Sequence, residues 1–139
     1  MSKLNRKKAK LRVVVADDNK EMRDKVVQHL RNGYDVVGTA VDGVSACEVV
    51  SLLEPDIAIL DISMPGKSGI EAARSIRQAA PKVKTIFLTV HDDPDFVRAA
   101  LDAGVFGYVI KSQMASDLLP ALSAVVDGKL FISPCCAMT

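Results

Sequence analysis

The stretch PDIAILDISMPGKSG, from Pro55 to Gly69, sets a carboxylate, Asp61, directly after the apolar run Ile57, Ala58, Ile59 and Leu60. An unbroken apolar run of this length is what a strand buried on both faces of a parallel sheet requires. Working outward, LRVVVA (Leu11 to Ala16), YDVVGTAV (Tyr34 to Val41), KTIFLT (Lys84 to Thr89) and FGYVI (Phe106 to Ile110) read as four further strands. Between them the period lengthens to that of a helix. Met22, Val26 and Leu30 form one stripe, Ala46, Val50 and Leu53 a second, and Ile70, Ala73, Ile76 and Ala80 a third. Val97, Ala100 and Leu101 make a fourth, and Leu118, Leu122 and Val125 a fifth.

Gly33, Gly104 and Gly128 follow helical stripes, where a left-handed residue ends a helix, and Pro55 and Pro81 stand between a helix and the next strand. The expectation is therefore a single α/β domain of five βα units, with right-handed crossovers and helices on both faces of a parallel sheet. The domain is expected over residues 11–128. Residues 1–10 read as a basic, flexible arm, and residues 129–139 as a tail or the start of a linker.

Composition narrows the class. The chain has 139 residues, of which 49% are hydrophobic and 25% charged, ordinary for a globular domain able to bury its own core. The net charge of +1 hides an asymmetry: Lys3, Arg6, Lys7, Lys8, Lys10 and Arg12 precede a remainder with 12 basic and 17 acidic residues, a balance of −5. The arm has no aromatic or amphipathic pattern that would mark a nucleic-acid or membrane surface, so a solvated tail is expected. No apolar run approaches the length of a membrane span, and no secretory signal opens the chain. The three cysteines, Cys47, Cys135 and Cys136, form neither a disulfide framework nor a metal motif. A reduced, cytoplasmic setting is expected.

Open parallel sheets place their chemistry beyond the carboxyl ends of the strands. Those positions are Asp17, Asp18 and Asn19 after the first strand, Asp61 after the third, Thr89 at the end of the fourth and Lys111 after the fifth. Each has an ordinary explanation: a helix cap, a turn carboxylate, a strand β-branched residue, a solvated charge. Together they make a different pattern. Three acids at one edge repel one another and call for a cation, and hard oxygen ligands suit Mg²⁺. With a lysine and a hydroxyl beside them, the set describes phosphoryl transfer to a carboxylate. Asp61 is the expected nucleophile, Asp17 and Asp18 the metal ligands, and Lys111 and Thr89 the contacts to phosphoryl oxygens.

The pieces VVADDN, ILDISMPGKSGIEAARSIR, TIFLTVHDD and ALDAGVFGYVIKS, in that order, resemble the receiver domain of two-component response regulators. The resemblance implies a flavodoxin-like, CheY-like fold: a doubly wound five-stranded parallel sheet of order 2-1-3-4-5. It implies that Asp61 accepts a phosphoryl group from a histidine kinase. It also implies that Asp18, Asp61 and the backbone carbonyl of Ser63 ligate Mg²⁺, with Asp17 acting mainly through metal-bound water. It further implies a switch in which Thr89 moves toward the phosphoryl group and Tyr108 turns inward, altering the face made by helix 4, strand 5 and helix 5. The resemblance also implies that Ser63 and His91, two residues beyond Asp61 and Thr89, occupy the variable positions at which receivers tune phosphoryl lifetime. Ser112 follows Lys111 where many receivers have proline.

LTVHDDPDFVRAALDAGVFGYVIKS and AVVDGKLFISP are most similar to the NarL/FixJ, LuxR-type transcriptional regulators, in which a helix-turn-helix DNA-binding domain follows the receiver. A homodimer is a family expectation. No recognition helix stands in these 139 residues, so contact with DNA would belong to a segment outside them. Competing readings are a stand-alone receiver, a binding module independent of phosphorylation, an aspartate phosphatase of the haloacid dehalogenase kind, and a flavodoxin-like cofactor binder. The phosphatase would need an acid where Ser63 stands, so turnover on outside substrates is not expected. The cofactor binder would set three acids against a cofactor phosphate.

Overall fold

In a computed structural model, residues 10–136 are described. All but the last residue of the expected basic arm lie outside them. The elements alternate as β1 Leu11–Ala16, α1 Lys20–Leu30, β2 Tyr34–Ala40, α2 Gly43–Leu53, β3 Ile57–Leu60, α3 Gly69–Ala79, β4 Lys84–Thr89, α4 Pro94–Asp102, β5 Gly107–Ile110 and α5 Met114–Val126. A short strand, β6 Phe131–Ile132, follows. All pairings are parallel, and the sheet order is β2-β1-β3-β4-β5-β6.

The side-chain alternation of each central strand explains the layers. Val13, Val15, Ile57, Ile59, Ile86, Leu88 and Val109 face α1 and α5 and bury Val26, Leu30, Leu118, Leu122 and Val125. Val14, Ala58, Leu60, Phe87 and Tyr108 face the opposite way, onto Ala46, Val50, Ala73, Ile76, Val97 and Ala100 of α2, α3 and α4. Every residue of β3 is buried, so the strand ending in Asp61 has no wet face. Both faces of the sheet therefore supply hydrophobic stabilisation, and the polar groups that remain are pushed to its ends.

Two details differ from the sequence reading. The sheet has a sixth strand in the segment expected to be a tail, where Phe131 and Ile132 pair with Gly107 and Tyr108. The helix ends also divide differently. Gly104 and Gly128 are left-handed, but Gly33 is not. Among the described residues the other left-handed helix end is Glu54, which closes α2 with an N–H bond to the Val50 carbonyl just before Pro55. No cis peptide occurs among the described residues, so the Lys111–Ser112 bond is trans.

The turn after Asp61 is held against the sheet by Gly69, whose N–H donates to the Ile62 carbonyl at 2.8 Å. A Cβ there would overlap the Asp61 carbonyl oxygen and stand 2.8 Å from Ile62 Cα. Backbone cannot withdraw as a side-chain tip can. Gly69→Ala is therefore expected to cost about 3 kcal/mol, read as a lowered urea midpoint with unchanged slope.

Candidate functional site

The carboxyl ends of β1, β3 and β5 bring the acids and the lysine together. Asp17 and Asp61 stay in the ladder by their backbones, with Asp17 N–H on the Ala40 carbonyl and Asp61 N–H on the Ala16 carbonyl, each at 3.0 Å. Both are buried, 3% and 5% exposed. Lys111 enters from the next strand end but one, and its Nζ lies 2.9 Å from both Asp17 Oδ2 and Asp61 Oδ2. The second Asp17 oxygen accepts from Asn19 N–H at 2.9 Å.

The local sequence assigns different jobs to the trio Asp17, Asp18 and Asn19. Asn19 caps α1, its side chain accepting from Met22 N–H at 2.9 Å. Asp17 points inward to the lysine. Asp18 remains exposed at the mouth of the site. One carboxylate oxygen from each of Asp17, Asp18 and Asp61 lies within 4.8 Å of the other two. Across an octahedral Mg²⁺ with bonds of about 2.0–2.1 Å, opposite ligands stand about 4.2 Å apart. An all-carboxylate donor set at this spacing fits a small, hard divalent cation with little movement, and does not suit a soft one.

The electrostatics are those of two buried negative charges around one positive charge. Burial, assisted by the neighbouring Asp17, raises the Asp61 carboxyl above its ordinary value despite the opposing Lys111 ammonium and the Ser63 N–H. Burial also works against the charged form of Lys111, but its bonds to Asp17 and Asp61 outweigh that and raise its affinity for the proton. Lys111 is therefore a fixed cation, and Asp61 is a carboxylate short of positive charge.

Thr89 and Tyr108 meet on the loop between β4 and α4 rather than on the acids. Thr89 is fully buried, and its Oγ1 accepts from His91 N–H at 3.2 Å. The Tyr108 hydroxyl donates to the His91 carbonyl at 2.7 Å. Tyr108 is already fully buried and packs edge-on against Phe87, ring centroids 6.3 Å apart, so the inward position expected only after phosphorylation is occupied here. Burial raises its hydroxyl pKa, with smaller contributions from Cys136, Asp92 and Asp93. The tyrosine is a neutral donor at any ordinary pH.

Ser63 and His91, which the sequence placed on separate loops, touch: Ser63 Oγ and His91 Nε2 are 2.7 Å apart. The His91 ring also stacks on Phe96 at 4.2 Å. This bridge joins the loop after β3 to the loop after β4. Sequence reasoning passed over Ser133 and Asp117, a buried polar pair beside β5. Its available signal was the apolar pair Phe131 and Ile132 ahead of Ser133 and Pro134, too short to stand out as a strand.

The response regulator receiver domain family matches residues 13–123. Transcriptional regulatory protein DegU of Brevibacillus brevis is 35% identical over 127 residues, covering 90% of this chain and 54% of that protein. The chain thus spans about half the length of this relative. A two-component response regulator of the LuxR family from Aurantimonas sp. SI85-9A1 superposes with a TM-score of 0.87 at 33% identity, covering 92% of this chain and 93% of that one. The signal receiver domain of the NarL response regulator of Mycobacterium tuberculosis gives 0.82 at 34% identity, covering 86% and 98%. With the acids of β1 and β3 and the lysine of β5 assembled at one sheet edge, this chain belongs to the response regulator receiver domain family, as the receiver of a two-component regulator of the NarL/LuxR type.

Proposed function

We propose that Asp61 accepts a phosphoryl group from a phosphohistidine of a histidine kinase, with Mg²⁺ held by Asp18, Asp61 and the Ser63 backbone carbonyl and Asp17 beside them. The observation that carries this reading is the Lys111 ammonium 2.9 Å from both buried carboxylates. The cation, when bound, neutralises charge on the transferring oxygens.

The residues of the chain do the rest. Asp61 supplies the attacking oxygen: an O–P bond forms as the P–N bond of the phosphohistidine breaks, and the imidazole leaves with that electron pair. Lys111, kept charged by its acids, offers N–H donors at the place where phosphoryl charge gathers. Thr89 offers its hydroxyl. Moving that hydroxyl toward a phosphoryl group takes the acceptor away from His91 N–H, and the His91 carbonyl that holds Tyr108 shifts with it. Signal thus passes from Asp61 to the α4–β5–α5 face through one loop. Ser63 stands where a phosphatase would need a second acid, and its hydroxyl is engaged by His91. This supports single phosphoryl acceptance rather than turnover on outside substrates.

The family supports a transcriptional output. The chain spans about half of its transcriptional relatives. We read it as the regulatory half of a cytoplasmic transcription regulator, residues 129–139 leading toward a DNA-binding region outside this chain, with a second copy as partner. No helix among the described residues is long and apolar enough to cross a membrane.

Intact mass after incubation with Mg²⁺ and acetyl phosphate is expected to show one hydroxylamine-labile phosphoryl adduct, absent from Asp61→Asn and from magnesium-free samples. An unmodified parent chain, even with a histidine kinase added, would move the reading to a phosphorylation-independent binding module. Lys111→Ala is expected to slow the modification about 100-fold, measured as initial rate.

The raised Asp61 pKa has a thermodynamic sign. Its favourable contribution to folding is fully present below the unfolded pKa and is lost as pH rises through the folded value. In metal-free buffer, Asp61→Asn should unfold at a higher temperature than the parent at pH 7, and this difference should shrink as the pH is lowered through the Asp61 titration. Melting curves across pH check it.

A further inference from the structure

The backbone that carries Lys111 is gripped from behind by a buried polar chain. Ile110, the residue before Lys111, donates its N–H to Ser133 Oγ at 3.1 Å, and Ser133 Oγ donates in turn to Asp117 Oδ2 at 2.8 Å. Ser133 is fully buried and Asp117 is 9% exposed. Ser133 N–H bonds the Tyr108 carbonyl at 2.8 Å, so the same residue also anchors β6 to β5. The second Asp117 oxygen accepts from Ser116 Oγ at 3.0 Å.

Each link has a physical reason. β5 and β6 pair only through Gly107 and Tyr108, so the Ile110 amide, two residues further on, has no strand carbonyl opposite it. A buried amide left without a partner is costly, and the Ser133 hydroxyl takes the place of that carbonyl. A hydroxyl that accepts from an amide must send its own proton elsewhere, and the Asp117 carboxylate receives it. Asp117 sits in the first turn of α5, where the helix dipole favours a negative charge. The three groups therefore close a bracket around the Lys111–Gln113 turn: strand β5 enters it, helix α5 leaves it, and Ser133 ties the two.

We propose that Ser133 and Asp117 are positioning residues for phosphoryl transfer, setting through the Ile110 amide the backbone from which Lys111 reaches Asp61. The proposal rests on the phosphoacceptor reading above. It makes the docking of the C-terminal strand a condition of an efficient site, so that whatever pulls β6 from the sheet also weakens Asp61 as an acceptor.

The test uses the whole chain with Mg²⁺ and acetyl phosphate, following initial rates by intact mass below the unfolding temperature of each variant. Ser133→Ala is expected to slow modification about 10-fold, less than the roughly 100-fold that a full 1 Å misplacement can cost. Asp117→Asn keeps an oxygen for the Ser133 hydroxyl and should slow it less. In a Lys111→Ala background, adding Ser133→Ala should change the rate less than 2-fold, because residues acting through one group are not additive. A merely structural role predicts the opposite: the same fold loss in both backgrounds, or a lower melting temperature at the parental rate, and either result overturns the proposal. Should Ser133→Ala fail to fold, Asp117→Ala in the same pair of backgrounds decides it. A parent chain that takes up no phosphoryl group overturns the phosphoacceptor reading and this proposal with it, whereas a modified parent matched by Ser133→Ala overturns this proposal alone.

Discussion

One ammonium holds the site together. Lys111 spans Asp17 and Asp61, both almost wholly out of water, and without it two like charges would face each other at the end of a sheet with little solvent to screen them. Even with it, burial, assisted by the neighbouring Asp17, keeps the Asp61 proton affinity above its ordinary value. The fold tolerates this because both acids are tied by backbone into the ladder, Asp17 to β2 and Asp61 to β1, while the apolar strands ahead of them bury two hydrophobic layers. The ladder fixes both backbones, and with them the strand ends from which the two carboxylates face each other. A site with stored negative charge is therefore a consequence of the packing, and it favours whatever brings positive charge.

The architecture was legible because each strand announces itself. Val13 to Ala16 and Ile57 to Leu60 are apolar on both faces, which only a covered parallel strand explains, and the helical stripes bury their expected residues, such as Val26 with Leu30 and Ala73 with Ile76. β6 was not legible. Two residues carry no periodicity, and their pairing depends on the exposed edge that β5 offers. The helix ends were half legible: Gly104 and Gly128 are left-handed as glycine suggests, but α1 closes without needing that conformation at Gly33, and Glu54 adopts it at the end of α2.

The site divides in the same way. Asp17, Asp61 and Lys111 were legible from their places at the carboxyl ends of strands, because topology alone brings those positions to one edge. Which of Asp17, Asp18 and Asn19 would cap the helix was a matter of side-chain direction, and that depends on atoms the linear order does not reveal. The contact between Ser63 and His91, and the ties of Thr89 and Tyr108 to the His91 backbone, lie in loops whose shape comes from packing. They make the loop after β4 the common partner of three elements, which is what the proposed relay from the acid cluster uses.

Phosphoryl acceptance requires that Lys111 be free to exchange a carboxylate for a phosphoryl oxygen. A crystal structure of the chain with Mg²⁺ and beryllofluoride tests this most directly. It should show beryllofluoride on Asp61 with Lys111 Nζ at hydrogen-bond distance from a fluorine and the Thr89 hydroxyl turned toward it. Lys111 still bridging Asp17 and Asp61, beside an unmodified Asp61, would contradict it.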